Sequence, residues 1–273
     1  MKIEKLEDFK PNRNYFSKFT KMNNIIEVVT MLHKNNDCPI KKLNKEEYVL
    51  LSTGEVFKCK HIDNRSQNVN TVRQSVANLR NLINANFVGG NNELWITLTF
   101  GDKKIYNPSE LCPIFHSFIK RLRYYFKNTK LDYIYVPEPH EKGDWHIHLL
   151  LKADKELYIK NSKLNEIWSN GFVKVNRLKD VDNIGAYVSA YLTNIKDGEE
   201  TKKGARLYFY PAGHQLYRCS KGIIKPKSEY LHYYEVKRKI GSAQPTFTNT
   251  VSVVTDNGFS NIIHKEYYNL KRL

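Results

Sequence analysis

The stretch "LDYIYVPEPHEKGDWHIHLLLK", residues 131–152, constrains this chain more than any other. Two runs rich in aromatic and aliphatic residues, "LDYIYVPE" (131–138) and "DWHIHLLLK" (144–152), are separated only by the tight link "PHEKG". That spacing reads as two strands of an antiparallel hairpin, because a parallel connection needs a crossover of about a dozen residues or more. Alternation along the second strand then puts His146 and His148 on one face and Ile147 on the other. The strand reads as buried, so two of the nine histidines share one face of a buried element. They are either core histidines satisfied by their neighbours or the ligands of a metal.

The link also brings Glu138, at the end of the first strand, beside the start of the histidine strand. A carboxylate and two imidazoles make three protein ligands and leave positions for water or a phosphate oxygen. Glu141 is a second carboxylate candidate, but it sits in the link and is harder to hold still. The mixed nitrogen and oxygen donors do not select one metal. Mn²⁺ or Mg²⁺ suits phosphate chemistry, and zinc stays open.

The surrounding pattern is orderly. Val69, Val72, Val76, Leu79, Leu82 and Ile83 recur at spacings of three and four, predicting an amphipathic helix that "VGGNN" ends. "ELWITLTF" (93–100) reads as a strand with Trp95, Thr97 and Thr99 on one side. "NPSELCPIFHSFIKRLRYYFKN" reads as a helix begun near Pro108-Ser109. The hairpin follows, then a helix near 155–168, a strand "FVKVNRL" (172–178), and a last helix in "DVDNIGAYVSAYLTN" capped by Asp180 or Asp182. The order β-α-β-β-α-β predicts an α+β fold, with helices packed on a ferredoxin-like or RRM-like antiparallel sheet. The outer regions are less regular. A helix near 22–34, two short strands around Ser52-Thr53-Gly54, and strands at "RLYFYP" and "QLYRCSKG" are expected. The divisions are an N-terminal region over 1–88, the core over 89–196 and a basic extension over 197–273.

Charge narrows the partner. Lys+Arg 44 against Asp+Glu 28 gives +16, and a protein this basic points to a polyanion, most often nucleic acid. "KRLRYYFK" (120–127) and the segment 202–227 interleave cations with aromatics, as single-stranded DNA binding requires. Lys120, Arg121, Arg123, Lys196, Arg206, Arg218 and Lys221 are the candidate phosphate contacts; for each cluster the alternative is a solvated charged face. Cys38, Cys59, Cys112 and Cys219 are scattered, with no CxxC pair, which suggests free thiols in a reducing compartment. The opening "MKIEKLEDFK" is charged throughout, and the sequence holds no apolar run of membrane length. A cytoplasmic protein without a membrane partner is expected.

Tyr187 and Tyr191 lie four apart in the last helix, on one face and about a turn from each other. Core packing accounts for such a pair in a chain with 18 tyrosines. Beside a metal site it has a second meaning, because a tyrosine hydroxyl can attack a phosphodiester while the metal polarises it.

Three segments in this order, "WITLTF", "EPHEKGDWHIHLLL" and "GAYVSAYLTN", resemble rolling-circle replication initiators. These belong to the His-hydrophobe-His (HUH) endonuclease superfamily, and the likeness is to its two-tyrosine, Gram-positive plasmid and phage type. The resemblance covers roughly 45–230. It implies that Glu138, His146 and His148 bind a divalent metal and that Tyr187 or Tyr191 forms a 5′-phosphotyrosine link with origin DNA. It implies a host polymerase and a host helicase as partners, since no Gly-rich phosphate loop is present in the sequence. One position departs: the family's tyrosine helix commonly carries a lysine three after the first tyrosine, and here that residue is Ala190. Lys196 or another basic residue is the candidate replacement. A relaxase or single-strand transposase of the same chemistry, an inactive initiator that represses its own origin, and a non-catalytic RRM-like nucleic-acid binder are the alternatives.

Overall fold

The computed structural model describes residues 2–33, 40–59, 61–179, 181–192, 205–254 and 259–272, and for residues 190–192 and 205 the backbone alone. The chain forms two compact units, each assembled from separated segments. Both are α+β and built on antiparallel pairings.

The first unit comprises Met1–Thr20, Glu27–Asp63 and Ser228–Tyr268. Its strands belong to a six-stranded sheet ordered Lys2–Lys5, Phe247–Val254, Ser260–Asn269, Ile25–Met31, Phe16–Met22, Ser228–His232. A three-stranded sheet, Ile40–Lys42, Glu47–Leu50 and Val56–Lys58, contains the expected turn, with Gly54 at φ 75°. The helix expected near 22–34 is instead the strand Ile25–Met31. Its β-branched residues favour an extended chain, and the left-handed Asn23, at φ 54°, turns the chain sharply before it.

The second unit comprises Lys21–Ile26, Asn64–Lys227 and Asn269–Leu273. Its five-stranded sheet runs, edge to edge, Val173–Asn176, Glu93–Leu98, Trp145–Ala153, Leu131–Pro139, Arg218–Cys219. Every neighbouring pair is antiparallel. The first four strands thus lie in the order fourth, first, third, second along the chain. Helices Leu111–Tyr125 and Asn161–Trp168 cover one face. Phe115, Phe118, Leu122, Leu164 and Trp168 pack there on Ile96, Leu98, Ile147 and Leu149. Helices Val69–Asn86 and Ile184–Leu192 cover part of the other face, where Leu79, Ile83, Ile184 and Val188 meet Trp95, Ile134, Val136 and Leu150.

Local chemistry sets the ends of these elements. Asn68 accepts from Thr71 N–H at 3.2 Å and starts the Val69–Asn86 helix. Beyond it, the buried Glu93 carboxylate collects the N–H groups of Val88, Gly89 and Gly90, so the "VGG" turn is organised from the next strand. The Asn161–Trp168 helix is shorter than the expected 155–168. The last helix is capped by Asn183, which accepts from Ala186 N–H at 3.0 Å, and not by Asp182. Asp182 instead pairs with Arg272. Asp180 lies outside the described residues. "RLYFYP" is no strand: Ala205–Phe209 forms a 3₁₀ turn, because Tyr210 directs its hydroxyl to Pro137 O at 2.8 Å and winds the segment inward.

Candidate metal centre

Strand register carries the site. Glu138 pairs with His146, and His148 sits between Val136 and Thr97 on its two neighbours. Cross-strand partners share a face, so Glu138, His146, His148 and Thr97 all project from the face that carries Trp95 and Leu150. The hairpin closes through Gly143 N–H to His140 O at 3.0 Å and His140 N–H to Asp144 O at 2.7 Å. Gly143 has φ 86°, and a Cβ there would meet the Phe209 ring at 2.8 Å. The turn therefore requires glycine.

Three atoms converge. His148 Nε2 lies 2.8 Å from Glu138 Oε2, His146 Nε2 lies 3.4 Å from the same oxygen, and the two Nε2 atoms are 2.9 Å apart. Donors bound to one ion at about 2.1 Å are spaced about 3.0–3.4 Å from one another, depending on coordination angle. The residues therefore fit a divalent cation. All three side chains are buried, and they form the one such His/Cys/Asp/Glu group among the described residues.

The electrostatics suit ligation. Burial pushes the Glu138 carboxyl up, but its hydrogen bonds with His146 and His148, together with their charge, outweigh this and hold it well below the usual carboxylate range. Burial also lowers the pKa of His146, more than contact with Glu138 raises it. An ionised carboxylate beside a neutral imidazole is the ligand form of both groups. Thr97 Oγ1 lies 3.3 Å from His148 Nδ1. With Nδ1–H donating to that hydroxyl, Nε2 presents its lone pair to the cluster. The His140 ring packs edge-on to His146, centroids 4.2 Å apart, and His146 Nδ1 is buried without a hydrogen-bond partner among the described residues.

Arg206 is the residue whose place charge clustering did not reveal. Its guanidinium donates to Glu138 Oε1 at 3.2 Å and sits 3.5 Å from Glu141 Oε1. It thereby engages the carboxylate oxygen that the histidines leave. Its segment is fixed by the Tyr210 hydroxyl on Pro137 O, by Arg65 N–H to Tyr210 O at 3.0 Å, and by Tyr210 against Trp145. Glu141 itself is exposed and outside the triad. A solvent-open pocket lies between Glu138, His146, Arg206 and the turn residues.

Tyr187 borders this face. Its helix approaches the Val69–Asn86 helix at Gly185, whose N–H donates to Asn84 Oδ1 at 2.8 Å and where a Cβ would meet Arg80 O at 2.5 Å. The Tyr187 ring stands edge-on to Trp95 at 5.5 Å, and Trp95 lies 6.1 Å from the His148 ring. Tyr187 is 49 % exposed. Tyr191 falls on the same helix, and its side chain lies outside the described residues, as does Lys196.

The other expected cations are dispersed. Lys120, Arg121 and Arg123 sit on the helix over the opposite sheet face. Arg121 donates to Ile167 O and Trp168 O, and Arg123 to Leu131 O. Arg218, on the edge strand, contacts Cys112 Sγ, and Lys221 is exposed beyond it. Cys59, Cys112 and Cys219 are free thiols, and no helix among the described residues is long and apolar enough to cross a membrane.

Residues 93–196 match the model of a replication-associated protein family, the ORF2 type. No curated protein and no solved structure matches the chain. The matched segment begins at the Glu93–Leu98 strand and contains the metal cluster and the tyrosine helix. It supports a replication initiator.

Proposed function

We propose that the chain is a rolling-circle initiator of the His-hydrophobe-His endonuclease type, nicking and rejoining origin DNA through a phosphotyrosine. One observation carries this reading: three buried ligand atoms converge on a sheet face bordered by an exposed tyrosine. Strand order fourth, first, third, second, with both crossover helices on one face, supports the ferredoxin-like assignment. The +16 charge supports a DNA partner.

Glu138, His146 and His148 would hold a manganese or magnesium ion. When bound, that ion supplies Lewis-acid polarisation of the scissile phosphate and offsets the charge that develops on it. Tyr187 Oη attacks phosphorus, the bond to the 3′ oxygen breaks, and a 5′-phosphotyrosine and a free 3′ hydroxyl result. The phenol proton leaves to solvent and the 3′ oxygen takes one up, so protons balance. Rejoining is the reverse attack by a 3′ hydroxyl. Tyr191, one turn on, is the second nucleophile candidate. A host polymerase would extend the 3′ end behind a host helicase.

The test is a denaturing gel of protein incubated with labelled single-stranded origin oligonucleotides and Mn²⁺. The wild type should give a covalent protein–DNA band that Tyr187→Phe lacks and Tyr191→Phe keeps. His148→Ala should lower its formation by about 10³-fold or more, the loss of several kcal/mol of transition-state stabilisation. Tight binding with no cut at any origin site would instead indicate a DNA-binding protein without nuclease activity.

A further inference from the structure

The metal-bearing face of the five-stranded sheet is covered toward one end and open toward the other. Trp95, Ile134, Val136 and Leu150 lie beneath the Val69–Asn86 and Ile184–Leu192 helices. Register places a different set beyond them. Lys174 pairs with Thr97, and Thr97 pairs with His148, which aligns a lysine, a threonine and a metal ligand in one row across three strands. In the next row Phe172 and Thr99 exchange both backbone hydrogen bonds, at 2.9 and 3.1 Å.

Parity fixes which way these side chains face. Val173 and Val175 pair with Leu98 and Ile96 and pack into the core on the opposite face. Lys174 and Phe172 therefore stand on the face of His148. Gly171 holds the register at the row's end: its φ is 156°, and a Cβ there would meet Thr99 O at 2.3 Å. Phe172 is nonetheless 71 % exposed, and Lys174 is exposed beside it. A ring whose neighbours at 173 and 175 go into the core, yet which itself lies open beside an ammonium, has the two groups that a nucleic-acid strand uses: a stacking plane and a phosphate contact. Strand spacing puts the row from Lys174 to His148 at about 10 Å between backbones, roughly three nucleotides at duplex rise.

We propose that Phe172 and Lys174 form a landing strip for single-stranded DNA. A base stacks on Phe172, and Lys174 takes a phosphate of the strand that runs to the metal cluster and Tyr187. The strip supplies a cation from the neighbouring strand, on a face where the tyrosine helix has Ala190 and no lysine. This inference rests on the nicking reading, and it fails separately from it.

The experiment is fluorescence anisotropy of a labelled oligothymidine strand with the full chain across a salt series, repeated with a duplex of the same length. Phe172→Ala should weaken single-strand binding about tenfold, the effect of one lost base stack, with the salt slope unchanged. Lys174→Ala should reduce that slope by about 0.7, one phosphate contact on a single strand. Lys163→Ala, on a helix of the opposite face, should do neither. Unchanged affinity and slope in both strip variants would overturn the proposal, as would a preference for duplex that both variants abolish. If the wild type forms the phosphotyrosine adduct but the strip variants bind normally, only the strip is wrong. If no adduct forms, the nicking reading falls first.

Discussion

The two units each bury a glutamate beside a histidine on an antiparallel strand, and the two are put to different uses. In the second unit Glu138 and His148 are 6 % and 4 % exposed; in the first, Glu266 and His264 are 3 % and 6 % exposed. Burial does not tell them apart. The neighbours do. Oε1 of Glu266 accepts from Tyr233, Tyr268 and the Lys237 ammonium at 3.0, 2.9 and 3.1 Å, and the His264 ring turns Nδ1 to Thr250 at 2.7 Å. That is a carboxylate neutralised by a resident cation. Glu138 keeps its Arg206 contact on one oxygen, and the other faces two imidazole nitrogens with lone pairs to give. A buried carboxylate met by fixed donors stabilises a fold, whereas one met by other lone pairs is an incomplete site that a cation completes.

The comparison can be broken most severely at Glu266. Glu266→Gln leaves Lys237 buried against a neutral group, and a broken buried pair costs about 3 kcal/mol or more. Denaturant unfolding should show that loss, while Mn²⁺ binding by the folded protein stays as in the wild type. Acid is a second route to the same group. Burial pushes the Glu266 carboxyl up, but hydrogen bonds from His264 and Tyr268 and the Lys237 charge bring it from 4.5 down to about 2. A carboxyl with a depressed folded pKa contributes stability above its unfolded value and loses it as pH falls through the folded one. Stability should therefore decline between about pH 5 and pH 2 in the wild type, and Glu266→Gln should flatten that decline. A smaller change sharpens the other side. Thr97→Val removes the partner of His148 Nδ1 at little volume cost and should weaken Mn²⁺ binding about tenfold, with Thr97→Ser close to wild type. Equal affinities in all three would mean that the imidazole is held by packing alone.

Much of the second unit is legible in the sequence because period and spacing survive folding. The hairpin, the shared face of His146 and His148, and the position of Glu138 follow from strand alternation and a five-residue link. The first unit is less legible. "IIEVVTM" falls in a stretch that reads as helix although its β-branched content favours a strand, and the Asn23-Asn24 pair before it is a turn signal. "RLYFYP" has strand composition, yet a single buried hydroxyl bond from Tyr210 to Pro137, 73 residues away, decides its shape. Charge clustering marks Arg206 as a phosphate contact; its neighbour Glu138 is 68 residues distant in sequence. Lys174 and Phe172 acquire meaning only from register with Thr97 and Thr99, which no local pattern supplies.

The central claim is that Glu138, His146 and His148 together hold one divalent cation. Calorimetric titration of the metal-stripped, folded chain with Mn²⁺ tests it most directly, with His148→Ala and His264→Ala alongside. The account expects one site in the wild type and in His264→Ala, and loss of that site in His148→Ala with the fold intact. Mn²⁺ binding that survives His148→Ala, or a folded wild type that takes up none, would contradict it.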